Sequence, residues 1–221
     1  MKPPSPLWDA PIRLFHWALV LLVIASFVTA KVGGEWMAWH LRSGYAILTL
    51  LLFRVVWGFV GSTTARFSSF LKAPKAALEY ARGLMARQHV PSVGHNPLGG
   101  WMVLVMILIL LVQVSTGLFA DDEVSTQGPL SIFASAKLVS RVNQVHEVNQ
   151  WIIVGAVVMH LVAISFYQWG LRSNLLRPMF DGGALPPGSA ARRGSTILAA
   201  VIFVVASSAV YWLVVILPRS A

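Results

Sequence analysis

Cysteine is absent from this chain of 221 residues. Its absence excludes disulfides, thiolate-held iron–sulfur clusters, covalent attachment of c-type haem and thiol catalysis within the chain, so any redox chemistry needs a bound cofactor. Charge is scarce as well: only 11% of residues are charged, and eight acids face seventeen lysines and arginines. No internal repeat or low-complexity tract is present. What fills the chain instead is apolar, 57% of residues with a mean hydropathy of +0.70. Such a composition excludes an ordinary soluble domain and defines a polytopic membrane protein.

Five apolar stretches are long enough to span a bilayer: Leu14 to Ala30, Trp39 to Val60, Leu98 to Ala120, Val145 to Trp169 and Ser195 to Leu217. The first is the shortest, and its run "LVLLVIASFVTA" also has the look of a signal-peptide core. Twelve of the seventeen lysines and arginines fall on one side of these spans, Lys2 among them, and Lys31, Arg42, Lys137, Arg141 and Arg219 on the other. That bias predicts a multi-pass protein of the bacterial inner membrane, N-terminus cytoplasmic and C-terminus periplasmic. The net charge of +9 is then a topology signal, and nucleic acid is not an expected partner.

Between the spans, "FLKAPKAALEYARGLMAR" has apolar residues at helical spacing with Lys72, Lys75, Arg82 and Arg87 interleaved. It predicts an amphipathic helix at about residues 70–88, lying on the inner membrane surface. Asn96 and Pro97 mark the start of the third span, as cap and first-turn residue. The outer loop opens on "DDE" (Asp121, Asp122, Glu123) and continues into a segment expected to form a short surface helix before the fourth span. Gly182, Gly183, Pro186, Pro187 and Gly188 predict a flexible linker at 181–194. The chain then divides into a four-helix unit at 1–180, that linker, and a fifth span at 195–221, read as an appended anchor or a partner-docking helix. Trp36 and Trp39 at the outer edge, with Trp8 and Trp57 toward the inner one, are expected as interfacial anchors.

Chemistry rests on histidine. Four of the six lie in or at the ends of spans: His16, His40, His146 and His160. An ionisable group inside a span is costly unless it is used. In "VHEVNQWIIVGAVVMHL", His146 and His160 stand fourteen residues apart, a climb of about 21 Å and a rotation about 40° short of four turns. Both rings therefore project from nearly one face, at two depths. With spans alternating in direction, depth pairs His40 with His146 near the outer edge and His16 with His160 near the inner one. Two pairs of imidazoles suit two flat macrocycles held between helices, each iron taking one nitrogen from either side. Gly44, Gly117 and Gly155 leave room for such a group against the backbone.

Arg42 near the outer pair, with Arg13 and Arg54 near the inner one, are candidate partners for haem propionates; snorkelling to lipid headgroups is the alternative. Glu147 is the one acid close to a membrane histidine, about 100° away from His146 around the helix. Transition-metal or proton pathways usually add carboxylate or thiolate ligands, so a metal or haem transporter or assembly factor is the weaker reading. His89 and His95 are expected to be structural or surface residues.

These residues resemble the bacterial cytochrome b561 and nickel–iron hydrogenase b-type cytochrome family. "WDAPIRLFHW" looks like that family's opening, and "WHLRSGYAILTLLLFRVVWGFVG" like its second span. "GHNPLGGWMVL" with "QVSTGLF" resembles the third, and the two-histidine segment the fourth. The resemblance covers about residues 7 to 180. It implies an all-α four-helix transmembrane bundle holding two haem b, with His16, His40, His146 and His160 as axial ligands and Arg54 as a propionate partner. It also implies electron transfer between membrane quinone and a periplasmic redox partner such as a c-type cytochrome or a hydrogenase. The fifth span and Pro178 in "NLLRPMFDGGA" depart from the pattern. A superoxide:quinone oxidoreductase of the same fold is a further expectation, for which a positive outer funnel is needed. The outer acids balance the bases here and favour a docked protein. Oligomeric state is not legible in the sequence.

Overall fold

The computed structural model describes residues 6–88, 94–122, 126–186, 189 and 191–220. Lys2, His89, Glu123, Pro187 and Gly188 lie outside the described residues. The chain forms α1 (Ala10–Val32), α2 (Met37–Val60), α3 (Phe67–Phe70), α4 (Pro74–Met85), α5 (Pro97–Gly117), α6 (Ala136–Ser165), α7 (Arg177–Asp181), α8 (Thr196–Tyr211) and α9 (Leu217–Arg219). Wide π-type turns carry α6 on through Phe166–Gly170 and join α8 to α9 through Trp212–Ile216. Five of these helical runs are long and apolar enough to cross a membrane, as the hydropathy of the chain predicts.

Local chemistry sets the helix ends. Asp9 caps α1 by accepting from the Ile12 amide at 2.9 Å, and Asn96 caps α5 by accepting from Gly99 at 2.7 Å. Gly33 and Gly34 both adopt positive φ, 69° and 55°, which only glycine takes without strain. That reversal lays α2 back along α1 as its antiparallel neighbour.

α2 is the hub, packing against α1, α5 and α8. Ile47, Leu48 and Leu51 of α2 meet Ile107, Leu110 and Val114 of α5 and Val210 of α8 in one core cluster. A second cluster joins Trp8, Ile12 and Phe15 to Leu50, Phe53, Trp57 and Ala199. Trp57 is therefore no interfacial anchor: it is fully buried, stacks on Phe53 and donates its indole N–H to Asp9 Oδ2 at 3.1 Å. A buried indole must satisfy its N–H, and the buried carboxylate does so. Trp8 is buried too, whereas Trp36 and Trp39 are exposed as expected.

Two further elements differ from the sequence reading. The expected surface helix before the fourth span is the beginning of α6 itself, which starts at Ala136 with Ser135 as cap. With its π turn the run Ala136–Gly170 has 35 residues. At 1.5 Å per residue that is about 52 Å, more than one crossing of a hydrocarbon layer of about 30 Å requires. The fifth span is also more than a tail. Ala199, Ala206 and Val210 are buried along it, and a Cβ on Gly194 would come within 2.4 Å of the Trp57 ring. Lipid tails are as apolar as the helices, so association depends on close packing, and small residues permit it.

Candidate functional site

His40 stands in the first turn of α2 and His146 on α6, and the fold brings their rings together with centroids 6.2 Å apart and planes at 85°. The non-coordinating side of each ring is tied down. His40 Nδ1 lies 2.9 Å from the Ser26 carbonyl and 3.1 Å from its hydroxyl, on α1. His146 Nδ1 lies 3.0 Å from the Gln113 carbonyl and 3.0 Å from the Thr116 hydroxyl, on α5. A carbonyl only accepts, so Nδ1 carries the proton in both rings and the lone pair is left on Nε2. That is the tautomer in which a histidine ligates metal, its orientation held by the hydrogen bond behind it.

A cavity of about 450 Å³ opens between these helices, lined by both histidines and by Gly44 and Gly117. A Cβ on Gly117 would sit 3.0 Å from the His146 ring, so glycine lets the imidazole lie against α5. Nothing stands within 4 Å of a Cβ at Gly44 or Gly155. Lys31 lines the same cavity, its ammonium over the rings of Phe27 (5.5 Å) and Trp151 (5.3 Å). Asp121, Asp122 and Glu147 line it as well. The offset of Glu147 from His146 does not take it out of the site. Arg42 is exposed, with its guanidinium 4.8 Å over Trp39, and is not among the lining residues.

Asn149, buried one turn beyond His146, donates to the Ile109 carbonyl at 2.9 Å and to Gln113 Oε1 at 2.8 Å. It pins α6 to the stretch of α5 that holds the His146 ring. Asn149→Leu is expected to destabilise the fold by about 1–3 kcal/mol, because the Ile109 carbonyl and the Gln113 amide lose a buried partner. Thermal unfolding in detergent measures this, and an unchanged midpoint would exclude the role.

His16 and His160 occupy the opposite end of the bundle and are close enough to feel each other's charge. The His16 Nδ1 is buried without a hydrogen-bond partner. Arg54 stands about as far beyond the Gly33–Trp36 turn as His16 stands before it, which puts both at one level. Arg54 is only 3% exposed; its guanidinium lies over Phe67 (4.9 Å) and Phe70 (5.8 Å) and keeps one buried Nη1 without a partner. Arg13 donates to the Phe180 carbonyl through Nη1, and its Nε is buried and unpartnered.

His95, expected as a structural or surface residue, is the structural one of the two. It is half-buried, packed between the rings of Trp8 (4.6 Å) and Phe70 (4.8 Å) with its Nδ1 buried and unpartnered, and lies within electrostatic reach of Arg54 and His160. The signal was its place directly before the Asn96 cap of α5. Burial, then the Arg54 charge, then His160, hold its imidazole down at about 4 from an ordinary 6.5. The folded chain therefore binds this proton less readily than the unfolded one. Stability present above about pH 6.5 is lost as pH falls toward about 4. His95→Phe is expected to flatten that acid limb of a melting-temperature profile, and an unchanged slope would show that His95 does not titrate in the fold.

The donor set tests what such a site holds. The 6.2 Å between the His40 and His146 ring centroids would admit one ion between two imidazole nitrogens. Among the described residues no group of three or more His, Cys, Asp or Glu forms a chelate for a bare metal ion. Paired Nε2 donors, backbone left open by glycine, and a buried guanidinium with a free N–H fit a flat, anionic macrocycle better than a naked cation. Fold and site together define the class: an integral-membrane, all-α haem protein.

The chain belongs to the prokaryotic cytochrome b561 family, whose model matches residues 7–182. The family is one of b-type cytochromes in electron transfer, and haem b is its cofactor. The fifth span lies beyond the matched range. Among curated proteins the chain is similar to the probable Ni/Fe-hydrogenase B-type cytochrome subunit of Rhizobium leguminosarum bv. viciae, with 24% identity over 80% of this chain and 87% of the relative. The corresponding subunit of Azotobacter chroococcum is 25% identical over 79% and 86%. The probable Ni/Fe-hydrogenase 1 B-type cytochrome subunit of Escherichia coli K12 is 23% identical over 70% and 79%. No solved structure gives a significant match.

Proposed function

We propose that the chain is a di-haem cytochrome b that carries electrons between membrane quinone and a hydrogenase or similar redox protein docked on the periplasmic side. What supports this reading is the placement of the four histidines: His40 and His146 stand ring to ring, and α6 carries His160 about 21 Å beyond His146, within electrostatic reach of His16. Bound haem b supplies one-electron redox at its iron. The chain's own residues do the rest. His40 and His146 hold one haem, with the Ser26 and Gln113 carbonyls fixing the rings; His16 and His160 hold the other. Arg54 and Arg13 serve the propionates of the second haem. Arg42, near the outer pair in sequence, is the candidate for the propionates of the first. Residues 1–180 form the haem-binding unit, with the N-terminus in the cytoplasm by the distribution of lysine and arginine.

A hydrogenase is the favoured partner because the relatives are named as hydrogenase subunits. The acids at the mouth of the His40 cavity support a docked protein over superoxide, which a negative rim would repel. The deciding experiment is a reduced-minus-oxidised spectrum of the purified protein with haem counted by pyridine haemochrome. Two low-spin haem b per chain are expected. A fraction of one would overturn the reading in favour of transport or assembly.

A further inference from the structure

Between α2 and α5 the chain carries five cations, Arg66, Lys72, Lys75, Arg82 and Arg87, and one acid, Glu79. Four of these cations lie on α4 or within two residues of its ends. The helix is fixed across one end of the bundle. Near the start of α5 the Trp101 indole N–H donates to the Lys72 carbonyl at 3.1 Å, and beyond the end of α6 the Tyr167 hydroxyl donates to the Tyr80 hydroxyl at 3.1 Å. α4 therefore lies where two spanning helices end, the level at which hydrocarbon gives way to headgroups.

Rotation sorts its side chains into faces. Ala77 is buried and Tyr80, Ala81 and Leu84 are half-buried against the bundle. Leu78 and Met85 are turned away from it, 51% and 78% exposed. Seven residues separate them, so they project within about 20° of each other. Lys75 and Arg82 have the same spacing, about 60° to one side, and both are exposed. Cation and apolar side chain thus alternate along one line at three- and four-residue steps: Lys75, Leu78, Arg82, Met85. Glu79 lies 4.0 Å from Lys75 with both side chains in the open, a pair too solvated to neutralise the line.

We propose that this line is a binding surface for anionic phospholipid, with acyl chains against Leu78 and Met85 and headgroup phosphates on Lys75 and Arg82. Both halves of the surface require this occupant. Free phosphate satisfies the cations and leaves the apolar side chains in water. A neutral lipid covers the apolar side chains and leaves the cations without a counter-charge. An interfacial helix gains from buried apolar area and from attraction to anionic headgroups together. Through Trp101 and Tyr167, lipid held on α4 steadies the adjoining ends of α5 and α6.

The absence of cysteine makes the test clean, since a dye on Met85→Cys is the only thiol label the chain can carry. The labelled full-length protein is placed in vesicles of equal phosphatidylcholine and phosphatidylglycerol, with the acyl chains of one or the other brominated to quench the dye. Brominated phosphatidylglycerol is expected to quench at least about two-fold more strongly than brominated phosphatidylcholine. Lys75→Gln with Arg82→Gln equalises the two, and Lys75→Arg with Arg82→Lys keeps the preference. Equal quenching in the labelled protein with both cations intact, or a preference that survives the double glutamine variant, would overturn the proposal. So would little quenching by either lipid, which would put the face off the membrane, or loss of the preference in millimolar inorganic phosphate, which would mark a soluble-anion site. Haem content read on the same samples keeps this result separate from the di-haem reading, because either can fail without the other.

Discussion

His160→Ala is expected to halve the haem content, from two per chain to one, and His16→Ala to remove the same spectral component. His146→Ala and His40→Ala should each remove the other. The pairing makes this large. On the di-haem reading, an iron held between two helices would lose one of its two protein bonds. The surviving site is insulated by distance, since His146 and His160 are separated by about 21 Å of continuous helix. Pyridine haemochrome with low-temperature spectra of the four variants decides the matter. Loss of one component by His160→Ala and His40→Ala alike would overturn the pairing.

Trp57→Ala is expected to destabilise the protein by about 3–5 kcal/mol, the range for truncating a large aromatic in a close-packed core. Trp57 has no exposed surface, and its ring is a wall for Phe53, Gly61 and Gly194 at once. Its removal also leaves Asp9 Oδ2 without the indole N–H while Asp9 still caps α1. Trp57→Phe keeps most of the packing and loses only the hydrogen bond, a cost of about 1–2 kcal/mol. Thermal unfolding in detergent reads both. Because Gly194 rests on this ring just before α8, Trp57→Ala should also expose the segment at 189–195 to protease. Equal stability of the alanine and phenylalanine variants would show that packing contributes little here.

The five spans and the caps at Asn96 and Asp9 are local features. Hydropathy over about twenty residues and one side chain reaching three residues onward produce them, so they can be read along the chain. The Asp9 cap lies within "WDAPIRLFHW", three residues before the Ile12 amide it accepts from. Periodicity likewise put His146 and His160 on one face without reference to any other helix. The start of α6 was missed because its first turns are polar, and hydropathy marks where a helix enters lipid, not where it begins. Which of its two expected roles His95 takes depends on what packs against it, here Trp8 and Phe70 from distant parts of the chain.

By itself the sequence determined that this is a helical membrane protein with imidazoles at two depths. Turn geometry, hydropathy and the 1.5 Å rise act within one segment and need no neighbour. The tertiary structure decided which nitrogen of each ring faces the cavity, because that depends on the Ser26 and Gln113 carbonyls of α1 and α5. It also decided that Arg54 is buried rather than reaching for headgroups, and that the fifth span packs along α2 instead of trailing in lipid. Each of these outcomes depends on the close approach of helices far apart in sequence. In lipid that approach is governed by shape and by hydrogen bonds between helices, neither of which is encoded in a hydropathy pattern.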